Sequence, residues 1–289
     1  MAFDLQKLDA MLASYIEKKK LPGVSVAVRG PGGVVFEKGY GIADLETGRP
    51  IDENTVCGIA SMSKSMTTLA CCILAAEGKL SFDDPVSKYF PNFRVPGNPE
   101  QDVTLRHLSM HTAGIPPMEP LEWSIALNTP GRDSEWAREM KRTAPNKMET
   151  IDQVIDYIAN CPYPTLGQAG EYMSYSNEGY AILSYVVDIA AGVTLEEFLK
   201  ERVFKPIGMT RSVLDLDGSE AIAMAGGNIT RLFEEDGEGG VSCDDHWSIL
   251  PPFRGCACVK STAHDMARYY QCLSNRGMID GVQAIPAEA

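Results

Sequence analysis

From Met66 to Ala76 the chain runs Met-Thr-Thr-Leu-Ala-Cys-Cys-Ile-Leu-Ala-Ala without one charged residue, and Gly78 stands just beyond it. A run of this kind with a glycine stop predicts a helix over 62–77 that is buried on most of its faces. A helix packed in this way is a rigid mount for whatever stands at its mouth. What stands there is Ser61-Met62-Ser63-Lys64, a hydroxyl and an amine one turn apart.

Spacing alone does not make that pair chemistry, since 19 Ser and 13 Lys in 289 residues produce about one Ser-x-x-Lys match by chance. Context carries more weight. Unpaired N–H groups and the positive dipole end of a helix favour negative charge beyond Ser61, and residues i and i+3 share a face, so the Lys64 amine can fold back toward the Ser61 hydroxyl. An ordinary lysine is neutral in only about one molecule in 2,500 at pH 7, so a base role needs surroundings that disfavour the ammonium form. The competing reading, a helix-capping serine followed by a solvated lysine, stays open on the tetrad alone. A second polar segment, Tyr175-Ser176-Asn177, precedes the apolar run Gly179 to Val187. There a tyrosine hydroxyl can relay a proton, and an asparagine amide can both donate to and accept from a substrate amide. Taken alone, it also reads as a capped helix start.

With these motifs the chain resembles the serine β-lactamase and penicillin-binding protein superfamily, in particular the branch of class C β-lactamases, D-amino-acid-specific peptidases and related esterases. Further stretches fit that branch in order: Leu21 to Val28, Gly39 to Asp44, Gly78-Lys79-Leu80 through Val86, Leu105 to Leu108 with His111-Thr112-Ala113-Gly114, and Phe204 to Met209. The resemblance implies an α/β (α+β) fold of the β-lactamase/transpeptidase type, an antiparallel sheet flanked by helices plus a mainly helical lobe. Residues 1–60 and 255–289 would then form the sheet lobe and 61–254 the helical lobe of one domain. It further implies Ser61 as acylated nucleophile, Lys64 as its base partner, Tyr175 as second proton-transfer group and Asn177 as a substrate-amide contact, with acyl transfer in two steps. The branch carries a third motif, Lys or His followed by a small residue and Gly, on a late strand. Nothing here fits it, and the chain is expected to be incomplete at its C-terminal end.

The remaining features narrow the field. A net charge of −13 disfavours nucleic acid and anionic membrane surfaces as partners and does not identify a substrate; the resemblance implies a small-molecule ester, amide or peptide substrate. The first twenty residues read as an amphipathic helix without the core of a signal peptide, so with Met1 as the native start a cytoplasmic location is expected. Eight cysteines then read as reduced thiols. Cys256-x-Cys258 lacks the second ligand pair of a zinc site, and no motif implies a metal or cofactor. His111 reads as structural rather than as part of a triad. Val24–Val28 and Val34–Lys38 around Gly30-Pro31-Gly32-Gly33 predict a β-hairpin. Residues 123–148 read as polar and irregular, a stretch that the resemblance implies is a rim shaping specificity, and 234–245 as an acidic solvated loop. Three functional readings follow: a serine hydrolase of esters or small amides, a β-lactamase or acyltransferase using the same nucleophile, and a non-catalytic ligand-binding relative or inactive fragment.

Overall fold

A computed structural model describes residues 4–97, 103–235, 240–244 and 247–289. Helix α1 (Leu5–Lys19), capped by the Asp4 carboxylate, leads into β1 (Gly23–Gly30) and β2 (Gly33–Gly41). The two strands pair antiparallel from Gly23↔Gly41 to Gly30↔Gly33 with a bulge at Val28/Arg29. The hairpin is held from both sides in sequence. Asp9 of α1 accepts from Lys38 at 2.8 Å and from the Tyr40 hydroxyl at 2.7 Å, while Gln271, far along the chain, accepts from Arg29 Nε and donates to Gly30 O, both at 2.7 Å.

Strand β3 (Cys57–Gly58) and a 3-10 turn at Ala60–Met62 deliver the chain into α2 (Ser63–Ala76). Helices α3 (Leu105–Ser109), α4 (Pro120–Asn128), α5 (Glu135–Thr143), α6 (Ile151–Ala159), α7 (Asn177–Ala191) and α8 (Leu195–Leu199) follow. After a π-helical turn at Lys200–Phe204 come α9 (Lys205–Ile207), β4 (Val213–Leu214) and α10 (Ser219–Ala225). The chain then forms β5 (Leu232–Glu235), β6 (Val241–Asp244), α11 (Arg254–Ala257), β7 (Val259–Ser261), α12 (Ala263–Ser274) and a last small hairpin, β8 (Met278–Ile279) with β9 (Val282–Gln283). Strand β7 is the centre of a three-stranded antiparallel sheet ordered β3-β7-β4.

Helix α2 is the axis of the molecule. Met66, Ala70, Cys71, Ile73 and Leu74 are fully buried and share one core with Val154, Ile182, Val186, Leu195, Phe253 and Tyr269 from the surrounding helices. Each large apolar side chain so buried contributes roughly 1.5–3 kcal/mol, so the helix cannot shift without exposing a large part of the core.

Two expectations are corrected. Residues 123–148 are not irregular. Helices α4 and α5 occupy most of the segment, α4 with Pro120 in its first turn and α5 capped by Ser134, whose side chain accepts from Ala137 N. Helix α4 buries Trp123, Ser124 and Ala126, and the polar α5 buries Ala137. Nor is 234–245 a loop throughout, because β5 and β6 pair antiparallel from Leu232↔Asp244 to Glu235↔Val241; residues 236–239 and 245 lie outside the described residues. No helix among the described residues is long and apolar enough to cross a membrane, and the eight cysteines are free thiols.

Candidate active site

Four side chains in the first two turns of α2 fasten it to its neighbours. The Ser63 hydroxyl donates to Ala60 O at 2.7 Å and accepts from Val259 N at 3.1 Å, tying the helix start to β7. One turn on, the Thr67 hydroxyl donates to Gly255 O of α11 at 2.7 Å. Lys64 and Thr68, also a turn apart, face α7, with Thr68 Oγ1 lying 3.0 Å from the Tyr180 hydroxyl. The i, i+4 repeat thus builds two polar rails on an otherwise apolar helix. Immediately before Ser61, Ala60 sits at φ 45°, in the left-handed region where a side chain costs roughly 1–2 kcal/mol. This kink leaves Ser61 exposed while Ser63 and Lys64 are buried.

Lys64 is 6% exposed. Its Nζ donates to Ser61 Oγ at 3.2 Å, to Asn177 Oδ1 at 2.9 Å and to Cys256 O at 3.1 Å. Three acceptors satisfy an ammonium group in full. A neutral amine has two N–H bonds and one lone pair; with Asn177 and Cys256 taking the N–H bonds, the lone pair faces Ser61 Oγ. The same cage therefore accepts both protonation states, as a base position requires.

The second wall is the start of α7. Ser174 N donates to His111 O at 2.7 Å, the Ser174 hydroxyl to Ile115 O at 2.7 Å, and Ser176 N to His111 Nδ1 at 3.0 Å. With both neighbours pinned and buried, Tyr175 projects and is 48% exposed. Its ring stacks on His111 at 4.4 Å between centroids, and Lys64 Nζ lies 4.9 Å from its centre. Burial and the Lys64 charge lower the His111 pKa, which keeps the imidazole neutral and Nδ1 free to accept. His111 is thus a brace, itself held at φ 58°.

All four residues singled out from the sequence lie in this one place, with Lys64 between Ser61, Asn177 and Tyr175. His111, read from the sequence as structural, is a brace, whereas two contributors were not foreseen: the Cys256 carbonyl and Glu178, which is buried and accepts from the Ser176 hydroxyl. A backbone carbonyl has no sequence signature, and a glutamate in the first turn of a helix is an ordinary partner of its dipole, so neither announced itself. Cys256 and Cys258 are both buried, and burial pushes both thiols well above their ordinary value.

The family model described as Beta-lactamase matches residues 8–287. The chain belongs to the beta-lactamase family. Its fold is the β-lactamase/transpeptidase-like α/β arrangement. An octameric penicillin-binding protein homologue from Pyrococcus abyssi superposes with a TM-score of 0.80 at 27% identity, over 99% of this chain and 59% of that one. A class C beta-lactamase superposes with a TM-score of 0.74 at 21% identity, over 98% of this chain and 67% of that one, a likeness of fold. Penicillin-binding protein 4* of Bacillus subtilis is 28% identical over 205 residues, which is 71% of this chain and 40% of that protein. The chain thus spans about two fifths of the length of that curated relative.

Proposed function

We propose that this protein is a serine hydrolase in which Ser61 is acylated by an ester or small amide, D-amino-acid peptides included, and the acyl group then passes to water. The observation that carries the reading is the Lys64 cage, a buried amine with two fixed acceptors and its third direction on Ser61 Oγ at 3.2 Å. In the first step the Ser61 O–H proton passes to the Lys64 amine as Oγ bonds to the carbonyl carbon. Collapse of the tetrahedral adduct breaks the bond to the leaving group, which takes up a proton from Lys64 or Tyr175. Water, deprotonated by the same groups, then releases the acyl chain. Asn177 spans both roles, because its Oδ1 holds Lys64 while its amide N–H bonds can serve a substrate carbonyl.

The name of the Bacillus subtilis relative supports a second substrate class for the same nucleophile, the β-lactams. The test is the intact mass of the protein after brief exposure to p-nitrophenyl acetate, a D-alanyl peptide ester or benzylpenicillin, each with Ser61→Ala as control. An acyl adduct that requires Ser61 is expected, and the probe that forms it fastest names the substrate class. Absence of any Ser61-dependent adduct would favour the non-catalytic reading.

A further inference from the structure

Helix α11 is a single turn of four residues whose last bond runs from Cys258 N to Arg254 O at 3.1 Å. A helix this short has no stability of its own, yet two of its carbonyls are spent on α2: Gly255 O accepts from Thr67 and Cys256 O from Lys64. Carbonyls at the end of a helix lack partners inside it, so the turn can present them to α2, and they stay in place only as well as the turn itself is held. Arg254, its first residue, is 9% exposed. The guanidinium lies 4.4 Å from the centre of the Tyr185 ring of α7. Its Nη2 donates to Asp188 of α7, and its Nη1 donates to the two carboxylate oxygens of Glu196 of α8 at 3.3 and 3.1 Å. The other oxygen of Asp188 accepts from Leu195 N, at the start of α8, at 2.7 Å. Helices α7, α8 and α11 thus meet around one cation.

We propose that Arg254 is a positioning residue of the active site: by gripping Asp188 and Glu196 together it fixes α11, and with it the Cys256 carbonyl that aims Lys64 at Ser61. The proposal rests on the reading of Ser61 and Lys64 as nucleophile and base. When the grip is released, α11 is free to draw back from α2, and Lys64 Nζ loses one of the two acceptors that turn its third direction onto Ser61 Oγ. Ser61 and the Asn177 amide, the groups that meet the substrate, stay where they are. Release therefore acts on the chemical step and spares substrate binding.

The kinetics of Ser61 acylation by p-nitrophenyl acetate, together with peptide-resolved hydrogen exchange over 254–258, test this in the full chain. Arg254→Lys keeps the charge, but an ammonium group neither forks between two carboxylates nor stacks on a ring as the planar guanidinium does. It is expected to lower the maximal acylation rate about tenfold, to leave the half-saturating ester concentration within about twofold of wild type, and to speed exchange of the Cys258 amide. Arg211→Lys is the control for lost stability, because that guanidinium donates to the carbonyls of Asn54, Ala225 and Asn228 and to no group of α2, α7, α8 or α11. It is expected to lower the melting temperature while the acylation rate and the exchange over 254–258 stay as in wild type. Three results overturn the proposal: an undiminished maximal rate in Arg254→Lys, a loss of rate without faster exchange over 254–258, or an equal loss of rate in Arg211→Lys at matched melting temperature. Should Arg254→Lys fail to fold, Glu196→Ala decides, since it removes one arm of the grip and leaves Asp188 in place; a several-fold lower maximal rate with faster exchange supports the proposal, and wild-type values of either overturn it. Failure of the underlying reading looks different, since acylation would then persist in Ser61→Ala or run at the wild-type rate in Lys64→Ala, and the proposal would fall with it.

Discussion

Gly255→Ala is the sharpest probe of how the fold positions the site. A Cβ at Gly255 would stand 2.5 Å from Ser184 Cβ, 3.0 Å from Thr67 Oγ1 and 3.1 Å from Leu195 Cδ2. Ser184 Cβ is fixed to the backbone of α7, so the clash is relieved only if α11 backs away from α2 and α7. Overpacking of this kind costs roughly 1–3 kcal/mol. The retreat also stretches the buried bond from the Thr67 hydroxyl to Gly255 O, now 2.7 Å, worth about 1 kcal/mol more. A total of about 2–4 kcal/mol lowers the melting temperature of a chain this long by roughly 3–7 °C. The next residue, Cys256, holds Lys64 through its carbonyl at 3.1 Å, so acylation of Ser61 should fall several-fold at temperatures where the variant is still folded. Thermal unfolding by circular dichroism and the intact-mass acylation assay read the two effects. A melting temperature within 2 °C of wild type, with undiminished acylation, would refute the argument that close approach at Gly255 seats the lysine cage.

Lys64→Ala should slow Ser61 acylation by about 100-fold or more, the usual range for loss of a positioned base, whereas Asn177→Ala should raise the ester concentration needed for half-maximal rate more than it lowers the maximal rate; steady-state kinetics separate the two. Stability should depend on pH through Glu178, which keeps its proton up to about 7 when folded and to its ordinary 4.5 when unfolded. The folded chain binds the extra proton between those values, so stability is highest below 4.5 and falls as pH rises through 7. A separation of about 2.5 at about 1.36 kcal/mol per pH unit gives about 3 kcal/mol, by which Glu178→Gln should exceed wild type above pH 7 while matching it near pH 4 in urea unfolding. Arg254→Ala strips Asp188 and Glu196 of the guanidinium that binds both and should cost about 3–5 kcal/mol in the same assay, since it leaves carboxylates partly buried without their partner.

Short-range pattern made much of this chain readable. The uncharged run that became α2, the Gly30 to Gly33 turn between β1 and β2 and the one-turn separation of Ser61 from Lys64 each depend on residues a few positions apart, where helical and strand periodicities act directly. The segment at 123–148 was misread because both helices are short: α4 has apolar residues on all its faces and so shows no helical period, while α5 carries few apolar residues and buries Ala137 alone. At 234–245 acidic and glycine residues suggested solvent, yet strand pairing needs only backbone groups, which composition does not report.

The central helix, the hydroxyl and amine at its mouth, the hairpin and, through a series of ordered motifs, the family are all legible along the chain. The surroundings of Lys64 are legible only in the folded molecule. Asn177 lies 113 residues away and the Cys256 carbonyl 192 residues away, and His111 braces Tyr175 from a separate turn. Such contacts are set by how helices pack around α2, and packing is a property of the whole core rather than of any window of the chain. Burial of Glu178 follows from the same packing. A carboxylate at the start of a helix belongs in water by its chemistry, and only the closure of the surrounding helices over it turns it into a buried acid with a raised pKa.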